Sequence, residues 1–381
     1  MITKKILDYE YQLTRIFGKW LNEDKHTPKY YERLDEANGL YDIVFTHRQS
    51  MQDDFESIKK YLKPTSKIVT DISIESGNIG SFLEKYEKIT KSEPYEFYLI
   101  CDTIISEHDR FKNNNFKLLE SYSISFYAYL NEFTEHNLTT GRLISSNNHS
   151  GFMSLNNSCR LHRVYLFTQL LKRNLSLEKC SFLFTTGGPD GSKFNRNIFV
   201  NFLNELKNKN YIDTELYDKC INYSLPKIID LDSNYYFFPN DAITDLYEDT
   251  ILNLVTENLS GMTSGDMWNP YIITFTEKTI KPFFTKQIPL FFALPGLLKV
   301  YKNLGFDLYD DLIDNSYDNE IDPIKRLDLI LNELERLSNI DLIKYKNDNK
   351  IRFDKNYELL EILNKSGEEK VKSFLYEEIL K

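Results

Sequence analysis

The stretch from Tyr41 to Asp71, YDIVFTHRQSMQDDFESIKKYLKPTSKIVTD, carries the pattern on which the predicted fold rests. It opens with a short apolar run of β-forming residues and closes, from Lys67 onward, with a second run of the same kind. The polar residues between the two runs have helical spacing through Tyr61, and Pro64 follows them. The stretch therefore predicts a strand, a helix and a second strand, in β-α-β order.

The same alternation continues on both sides of this stretch. Upstream, the apolar spacing from Ile6 to Leu21 predicts an amphipathic helix. Downstream, a helical stretch from Ile79 to Lys88 leads to the strand-like run Glu96 to Cys101, and Tyr122 to Tyr127 supplies another candidate strand. Strands that alternate with helices predict a parallel sheet with helices on both faces. We expect this N-terminal domain to span residues 1–140.

A change in composition marks the end of that domain. From Asn137 to Ser150 the chain is rich in Asn, Ser, Thr and Gly, which predicts a linker. Beyond it the alternation restarts, so residues 150–330 form a second predicted domain, and residues 331–381 a mainly helical C-terminal segment. The predicted fold is therefore α/β, with two doubly wound Rossmann-like domains facing each other across a cleft. The second domain's predicted elements are strands 151–155, 181–184, 250–255, 271–275 and 289–292, and helices 160–172, 195–206 and 277–284, with another helix after Gly296.

Composition and charge limit the classes of function. The 381 residues carry a formal net charge of -10, which argues against an extended nucleic-acid groove, because such a groove needs a basic face. The apolar run Ile288 to Leu298 contains prolines and is shorter than the roughly 20 residues of a membrane helix. No signal peptide is evident, so we expect a cytoplasmic protein with reduced cysteines. The 26 Tyr and 26 Phe fit either an AT-rich genome or carbohydrate-stacking surfaces.

The segment Asn156 to Arg163 is the first candidate site. It leaves a predicted strand and opens a helix, so Arg160 and Arg163 lie beside backbone N–H groups at the carboxyl end of the strand, where open α/β sheets bind ligands. Arginine suits a diphosphate because its planar fork donates two parallel hydrogen bonds. The alternative is a pair of surface arginines, although cations there oppose the helix dipole. His162 is a neighbour of this site or a packing group.

Two further polar pairs follow predicted strands. Glu257-Asn258 comes after strand 250–255, and Glu277-Lys278 after strand 271–275. A carboxylate at such a position accepts hydrogen bonds from ribose hydroxyls, and a lysine neutralises phosphate. Either pair alone is an ordinary helix start, but three polar clusters at three strand ends favour a ligand site. The glycine-bearing loop 187–191 is either a close approach to the ligand or a plain turn, and it lacks the ending of a nucleotide-hydrolase P-loop.

Several of these runs together resemble a known family. Leu254 to Ser260, Ile273 to Lys278 and Ile288 to Gly296 look like the donor-binding half of α1,3-fucosyltransferase-like enzymes, which share an "ENS … TEK … P" pattern. Ser154 to Arg163 is similar to the strand, loop and helix that bear that family's phosphate-binding arginine. The chain also resembles glycosyltransferase-like proteins of large viruses and phages. The resemblance covers roughly residues 150 to 330.

The resemblance implies a GT-B type glycosyltransferase that moves a sugar from a nucleoside-diphosphate sugar to a hydroxyl of a glycan or glycoconjugate. It implies an inverting reaction that needs no metal. By position, Glu277 holds the ribose, Lys278 and Arg163 neutralise the diphosphate, and Glu257 faces the sugar. The remaining donor-binding candidates are Arg160, Asn156, Asn258 and Thr276.

The N-terminal domain is expected to supply the catalytic base. In the resembled enzymes a carboxylate of that domain deprotonates the acceptor hydroxyl, and positive side chains stabilise the leaving diphosphate. Glu75 is the first candidate and Asp71 the second, because both come just after a predicted strand. His47 and Asp102 occupy equivalent strand ends.

Two other readings keep the same scaffold. A non-catalytic protein would bind glycans through its aromatic surface and transfer nothing. A DNA-modifying glycosyltransferase would share the donor chemistry but would need a basic N-terminal face, which the acidic balance disfavours.

Overall fold

In the computed structural model the chain forms two compact units. The N-terminal unit comprises residues 1–131, 271–276 and 361–381, and the C-terminal unit comprises residues 132–270 and 277–360. The structure describes residues 5–8, 31–33, 37–47, 51, 55–71, 79–101, 115–127, 130, 151–185, 194–227, 246–247, 249–257, 260–262, 273 and 275–380.

The N-terminal unit is built on a parallel sheet. Its described strands are β1 (Ile6–Asp8), β2 (Tyr31–Arg33), β3 (Tyr41–His47), β4 (Leu62–Asp71), β5 (Glu96–Cys101) and β6 (Lys117–Glu120). They pair in the order β2-β1-β3-β4-β5-β6, and each pairing is parallel. Helix α1 (Phe55–Lys59) connects β3 to β4, and helix α2 (Ile79–Ser92) connects β4 to β5.

Strand β5 shows why this sheet is covered on both faces. Its residues after Glu96 are all buried, which is typical of a central parallel strand. Successive side chains of a strand point to opposite faces. Leu99 accordingly packs in a core cluster with Tyr86 of α2, whereas Ile100 packs in a second cluster with Leu375 near the C-terminus.

The C-terminal unit has a second parallel sheet. Its described strands are β7 (Phe152–Ser158), β8 (Cys180–Thr185), β9 (Leu252–Thr256) and β10 (Ile288–Phe292), in the order β10-β9-β7-β8. Its helices are α3 (Leu161–Lys172), α4 (Arg196–Asn208), α5 (Thr214–Ile221), α6 (Glu277–Phe284), α7 (Leu297–Leu304), α8 (Pro323–Leu337) and α9 (Leu342–Asp348). A 3-10 turn (Asn315–Asn319) precedes α8. The predicted α/β class with parallel sheets is confirmed, as a Rossmann-like fold.

The C-terminal residues are helical, as predicted. Helix α10 (Lys350–Phe374) starts among residues grouped with the C-terminal unit, and a π-helical turn (Leu375–Ile379) follows it. Residues 361–381 are grouped with the N-terminal unit, and the sequence patterns did not indicate this return. Within the described residues, no helix is both long and apolar enough to cross a membrane.

Three predicted elements differ from the structure. The predicted strand from Tyr122 is instead helical over residues 123–127, where Ile124 and Tyr127 are one turn apart and enter the same core cluster. The predicted helix from Ile6 begins as strand β1, and residues 9–30 lie outside the described part of the chain. Ile273 and Phe275, the described residues of predicted strand 271–275, belong to no strand. The predicted linker 137–150 also lies outside the described residues.

Candidate functional site

The carboxyl edge of the C-terminal sheet gathers most of the polar candidates. Because β7, β8, β9 and β10 run parallel, their carboxyl ends meet at one edge. Helix α3 begins at Leu161, directly after β7. In the chain, helix α6 follows β9 and precedes β10, and these two strands pair in parallel. The helix therefore returns the chain to the amino end of β10. The N-termini of both helices therefore lie at the edge where β9 ends in Thr256.

Arg163 joins two strand ends in the first turn of α3. Its side chain is almost fully buried, with 2% of the residue exposed. Nη1 donates to the carbonyl oxygen of Ser158 at 3.3 Å, and Nη2 donates to that of Thr256 at 3.4 Å. These two residues end β7 and β9. A permanent positive charge is thereby fixed at the edge of the sheet.

His162, the neighbour of Arg163, is a neutral hydrogen-bond donor. Burial lowers the pKa of His162 well below its ordinary value, and the charges of Arg163 and Arg160 lower it further. Its Nε2 lies 2.8 Å from the carbonyl oxygen of Glu257, which only accepts, so Nε2 carries the proton. The ring also meets Phe292 edge-on, with 6.0 Å between centroids.

Glu257 directly follows β9, and its backbone N–H and carbonyl both make hydrogen bonds. Its N–H donates to the carbonyl oxygen of Phe292 at 3.0 Å, and its carbonyl accepts from His162. The residue is 6% exposed. Burial lowers the pKa of Lys278, but the carboxylates of Glu277 and Glu257 outweigh burial and the pKa is raised. Glu257 therefore belongs to the same electrostatic cluster as the N-terminus of α6.

Glu277 and Lys278 form an ion pair in the first turn of α6. Lys278 Nζ lies 2.5 Å from Glu277 Oε1, and the two side chains are 24% and 13% exposed. Burial raises the pKa of Glu277, but the charges of Lys278 and Lys281 outweigh it and the pKa is lowered. Both members of the pair are therefore charged at neutral pH.

The N-terminus of α3 differs from those of other helices in its unit. Asn195 caps α4 by accepting from Ile198 N at 3.1 Å, and Asp213 caps α5 in the same way. Helix α7 is capped by a residue remote in the sequence, because Asp318 Oδ2 accepts from Leu298 N at 3.1 Å. The N-cap of α3 is Arg160, whose side chain makes no capping hydrogen bond.

Arg160 adds a second cation to this helix end. It is half-buried, and its Nε has no hydrogen-bond partner among the described residues. Positive side chains oppose the dipole at a helix N-terminus, whereas an anion is stabilised there by the dipole and the backbone N–H groups. A bound anion would therefore relieve the unfavourable placement of Arg160 and Arg163 at this helix end.

Two donor-binding candidates are enclosed by their neighbours. Asn156 is 1% exposed, and its amide connects β7 to β9 by donating to Ser154 Oγ at 3.1 Å and accepting from Thr256 Oγ1 at 2.6 Å. Thr276 is buried directly before α6 and is grouped with the N-terminal unit. Asn258 and the glycine-bearing loop 187–191 lie outside the described residues.

Two candidates for the base, His47 and Asp71, lie at one edge of the N-terminal sheet as far as the backbone is described. Asp71 ends β4 and is paired in register with His47, the last residue of β3. Both side chains, and the whole of Glu75 and Asp102, lie outside the described residues. Asp102 directly follows β5, which is the other neighbour of β4. The four candidates stay predictions.

Arg326, which no sequence pattern singled out, lies at the same edge. Arg326 lies in the first turn of α8 and is 1% exposed, with its guanidinium 6.0 Å from the ring centroid of Phe292. It donates to the carbonyl oxygen of Ser260, in the segment that leaves β9. The local pattern Asp322-Pro323 signals only a helix start, because the partners of Arg326 across the unit are remote in sequence.

Comparison with known proteins gives no relative on which to base an assignment: no protein-family model, no curated protein and no solved structure matches the chain. The charges and hydrogen bonds of this edge are therefore the features that indicate a function.

Proposed function

We propose that the chain is a glycosyltransferase whose C-terminal unit binds the diphosphate of a nucleotide-sugar at the carboxyl edge of its sheet. The observation that carries this proposal is the N-terminus of α3. It has no side-chain cap from Arg160, and it carries Arg160 and Arg163 in an electrostatic cluster with Lys278. A diphosphate supplies the negative charge that such a helix end favours.

The roles divide by exposure and by charge. Arg160 and Lys278 are partly exposed and contact phosphate oxygens directly. Arg163 is buried and adds positive potential from the strand ends. Glu277 is ionised beside Lys278 and accepts hydrogen bonds from the ribose hydroxyls, and Glu257 faces the sugar. The resemblance to α1,3-fucosyltransferase-like enzymes supports the same division.

The proposed reaction is an inverting transfer without a metal. A base of the N-terminal unit, Glu75 or Asp71, takes the proton of an acceptor hydroxyl, whose oxygen forms the new bond to the anomeric carbon. The bond from that carbon to the diphosphate breaks, and the leaving oxygen gains negative charge beside Lys278 and Arg160. The proposal includes a GT-B arrangement in which the two units enclose donor and acceptor, and a glycan or glycoconjugate as the acceptor.

Ligand binding by the full-length chain tests the proposal. UDP, GDP, ADP and their common sugar conjugates are screened by thermal shift. A nucleotide present at about 100 times its Kd is expected to stabilise the binding unit by about 2.7 kcal/mol. The conjugate that binds is then incubated with the protein and candidate acceptors, and release of nucleoside diphosphate is followed by chromatography.

Each outcome of this screen has a defined meaning. Stabilisation by one nucleotide, together with diphosphate release that depends on an acceptor, supports the proposal. Binding of the conjugate without any release would make the chain a donor-binding protein and would refute the enzymatic part. No shift with any conjugate at millimolar concentration would refute the donor site itself.

A further inference from the structure

The chain leaving β9 is held by three side chains that each donate to a main-chain carbonyl. Arg163 donates to Thr256 O, His162 to Glu257 O and Arg326 to Ser260 O. The first two donors come from α3 and the third from α8. We call the described residues at this strand end, Thr256, Glu257 and Ser260, the strand-end segment. Buried carbonyls need such donors, so these contacts hold the three residues in place.

Arg326 is a buried cation whose hydrogen bonds to the described residues all go to backbone carbonyls. Nη1 donates to Glu320 O at 2.6 Å and to Ile321 O at 3.2 Å, while Nη2 donates to Ser260 O. Within the described residues its Nε has no partner. Burial lowers the pKa of Arg326 to about 10, and the charges of Asp318, Glu320 and Asp322 offset this only in part. An apolar side chain would fill the same volume without that cost.

The turn that follows the strand-end segment lies beside the same guanidinium. Gly261 has a φ of +82°, a left-handed conformation that favours glycine. A Cβ added at Gly261 would lie 3.7 Å from Arg326 Nη2. The hydroxyl of Ser260 is buried and has no partner among the described residues.

From this arrangement we propose that Arg326 is a positioning residue that holds the strand-end segment so that Glu257 is aimed at the sugar of the donor. The inference rests on the proposed function for the identity of the ligand. Arg326 itself touches neither the proposed phosphate groups nor the sugar. Its loss is therefore expected to change recognition of the sugar while Arg160 and Lys278 still bind the diphosphate.

The test uses the full-length chain with Arg326→Met and Arg326→Lys. Methionine fills the volume without donors, and lysine keeps the charge but lacks the planar fork that reaches three carbonyls. Lys325→Met, on the exposed neighbouring position of α8, is the matched control. Two quantities are measured: hydrogen exchange of the peptide covering residues 256–262, and the Kd of the nucleoside diphosphate against that of its sugar conjugate.

We expect exchange of that peptide to rise at least tenfold in both Arg326 variants and to stay unchanged in Lys325→Met. We expect the sugar conjugate to bind at least tenfold more weakly to both Arg326 variants, and the free diphosphate to bind within about twofold of wild type. If Arg326→Met does not fold, Arg326→Lys decides the same comparison.

Two results would overturn the inference. One is unchanged exchange of the peptide in both variants. The other is an equal change in the affinities for diphosphate and conjugate, which would reduce Arg326 to a general structural role. Failure of the proposed function is distinguishable, because wild-type protein would then bind neither nucleotide while the exchange measurement still reports whether Arg326 holds the segment.

Discussion

Lys278 Nζ lies 2.5 Å from Glu277 Oε1, so two consecutive residues in the first turn of α6 form an ion pair. Consecutive residues on a helix do not face each other, so the pair depends on the side-chain conformations of both residues and not on helical spacing. The charge of Glu257 acts on Lys278 from the end of β9. A phosphate bound at this position would contact a lysine whose charge is already held in place by the two carboxylates.

Lys278→Ala is expected to weaken binding of the nucleoside diphosphate about 10- to 100-fold, because a hydrogen bond to a charged group contributes about 1.5–3 kcal/mol. Calorimetric titration measures the change, and the effect should shrink at high salt because Lys278 is partly exposed. Lys299→Ala, at an exposed position of α7, is the control and should leave the Kd unchanged. Equal affinities of the Lys278 variant and wild type would remove Lys278 from the site.

His162 is expected to make the stability of the C-terminal unit depend on pH. The pKa of His162 is lowered in the folded state, so the unfolded chain binds the proton more readily. The stability that His162 contributes is complete above about pH 6.5, the ordinary pKa of histidine. It is lost as the pH falls from there toward the folded pKa, by up to about 1.4 kcal/mol per pH unit.

Urea unfolding between pH 8 and pH 5.5 measures this contribution. His162→Gln keeps a donor for Glu257 O but does not titrate, so its stability should fall less steeply than that of wild type below pH 6.5. Parallel curves for the two proteins would contradict the assignment of His162 as a buried neutral donor.

Gln287 is expected to be a determinant of stability rather than of binding. Its buried amide joins the amino ends of β9 and β10: Nε2 donates to Thr250 Oγ1 at 2.8 Å and to Thr250 O at 3.0 Å, and Oε1 accepts from Asn253 at 2.8 Å. Gln287→Leu leaves these partners unsatisfied, at a cost of about 2–4 kcal/mol in the free energy of unfolding.

Denaturant unfolding tests the Gln287 prediction. Asn339→Leu, an exposed amide after α8, is the control and should change stability by less than about 0.5 kcal/mol. Gln287 lies at the amino end of β10, away from the carboxyl edge, so nucleotide affinity should not change. A destabilisation below about 1 kcal/mol would show that the network is readily replaced.

Local periodicity was sufficient for most elements of the fold. Helix α6 has the predicted bounds Glu277–Phe284, and β5 has the predicted bounds Glu96–Cys101. The run from Tyr122 failed because its β-branched and aromatic residues favour a strand locally, whereas the core receives them at helical spacing. Short apolar runs of this kind do not distinguish helix from strand without their tertiary partners.

The positions of the candidate residues were predictable from the sequence, but the hydrogen bonds that hold them were not. The polar residues at Arg160 to Arg163, Glu257 and Lys278 stood out because strand ends and helix starts are visible in the sequence. The enclosure of Asn156 between two strands was not visible, since its partner Thr256 became a neighbour only when β7 and β9 paired. The role of Glu75 and Asp71 as base stays a prediction.

The sequence by itself determined the alternation of strands and helices and the positions at which polar residues follow strands, because both depend on neighbours a few residues apart. Only the tertiary structure decided which side chains hold the strand-end segment. The donors Arg163, His162 and Arg326 are separated from their carbonyl partners by 93, 95 and 66 residues. Hydrogen bonds between such distant residues form only after the sheet has brought the residues together, so no local sequence pattern predicts them.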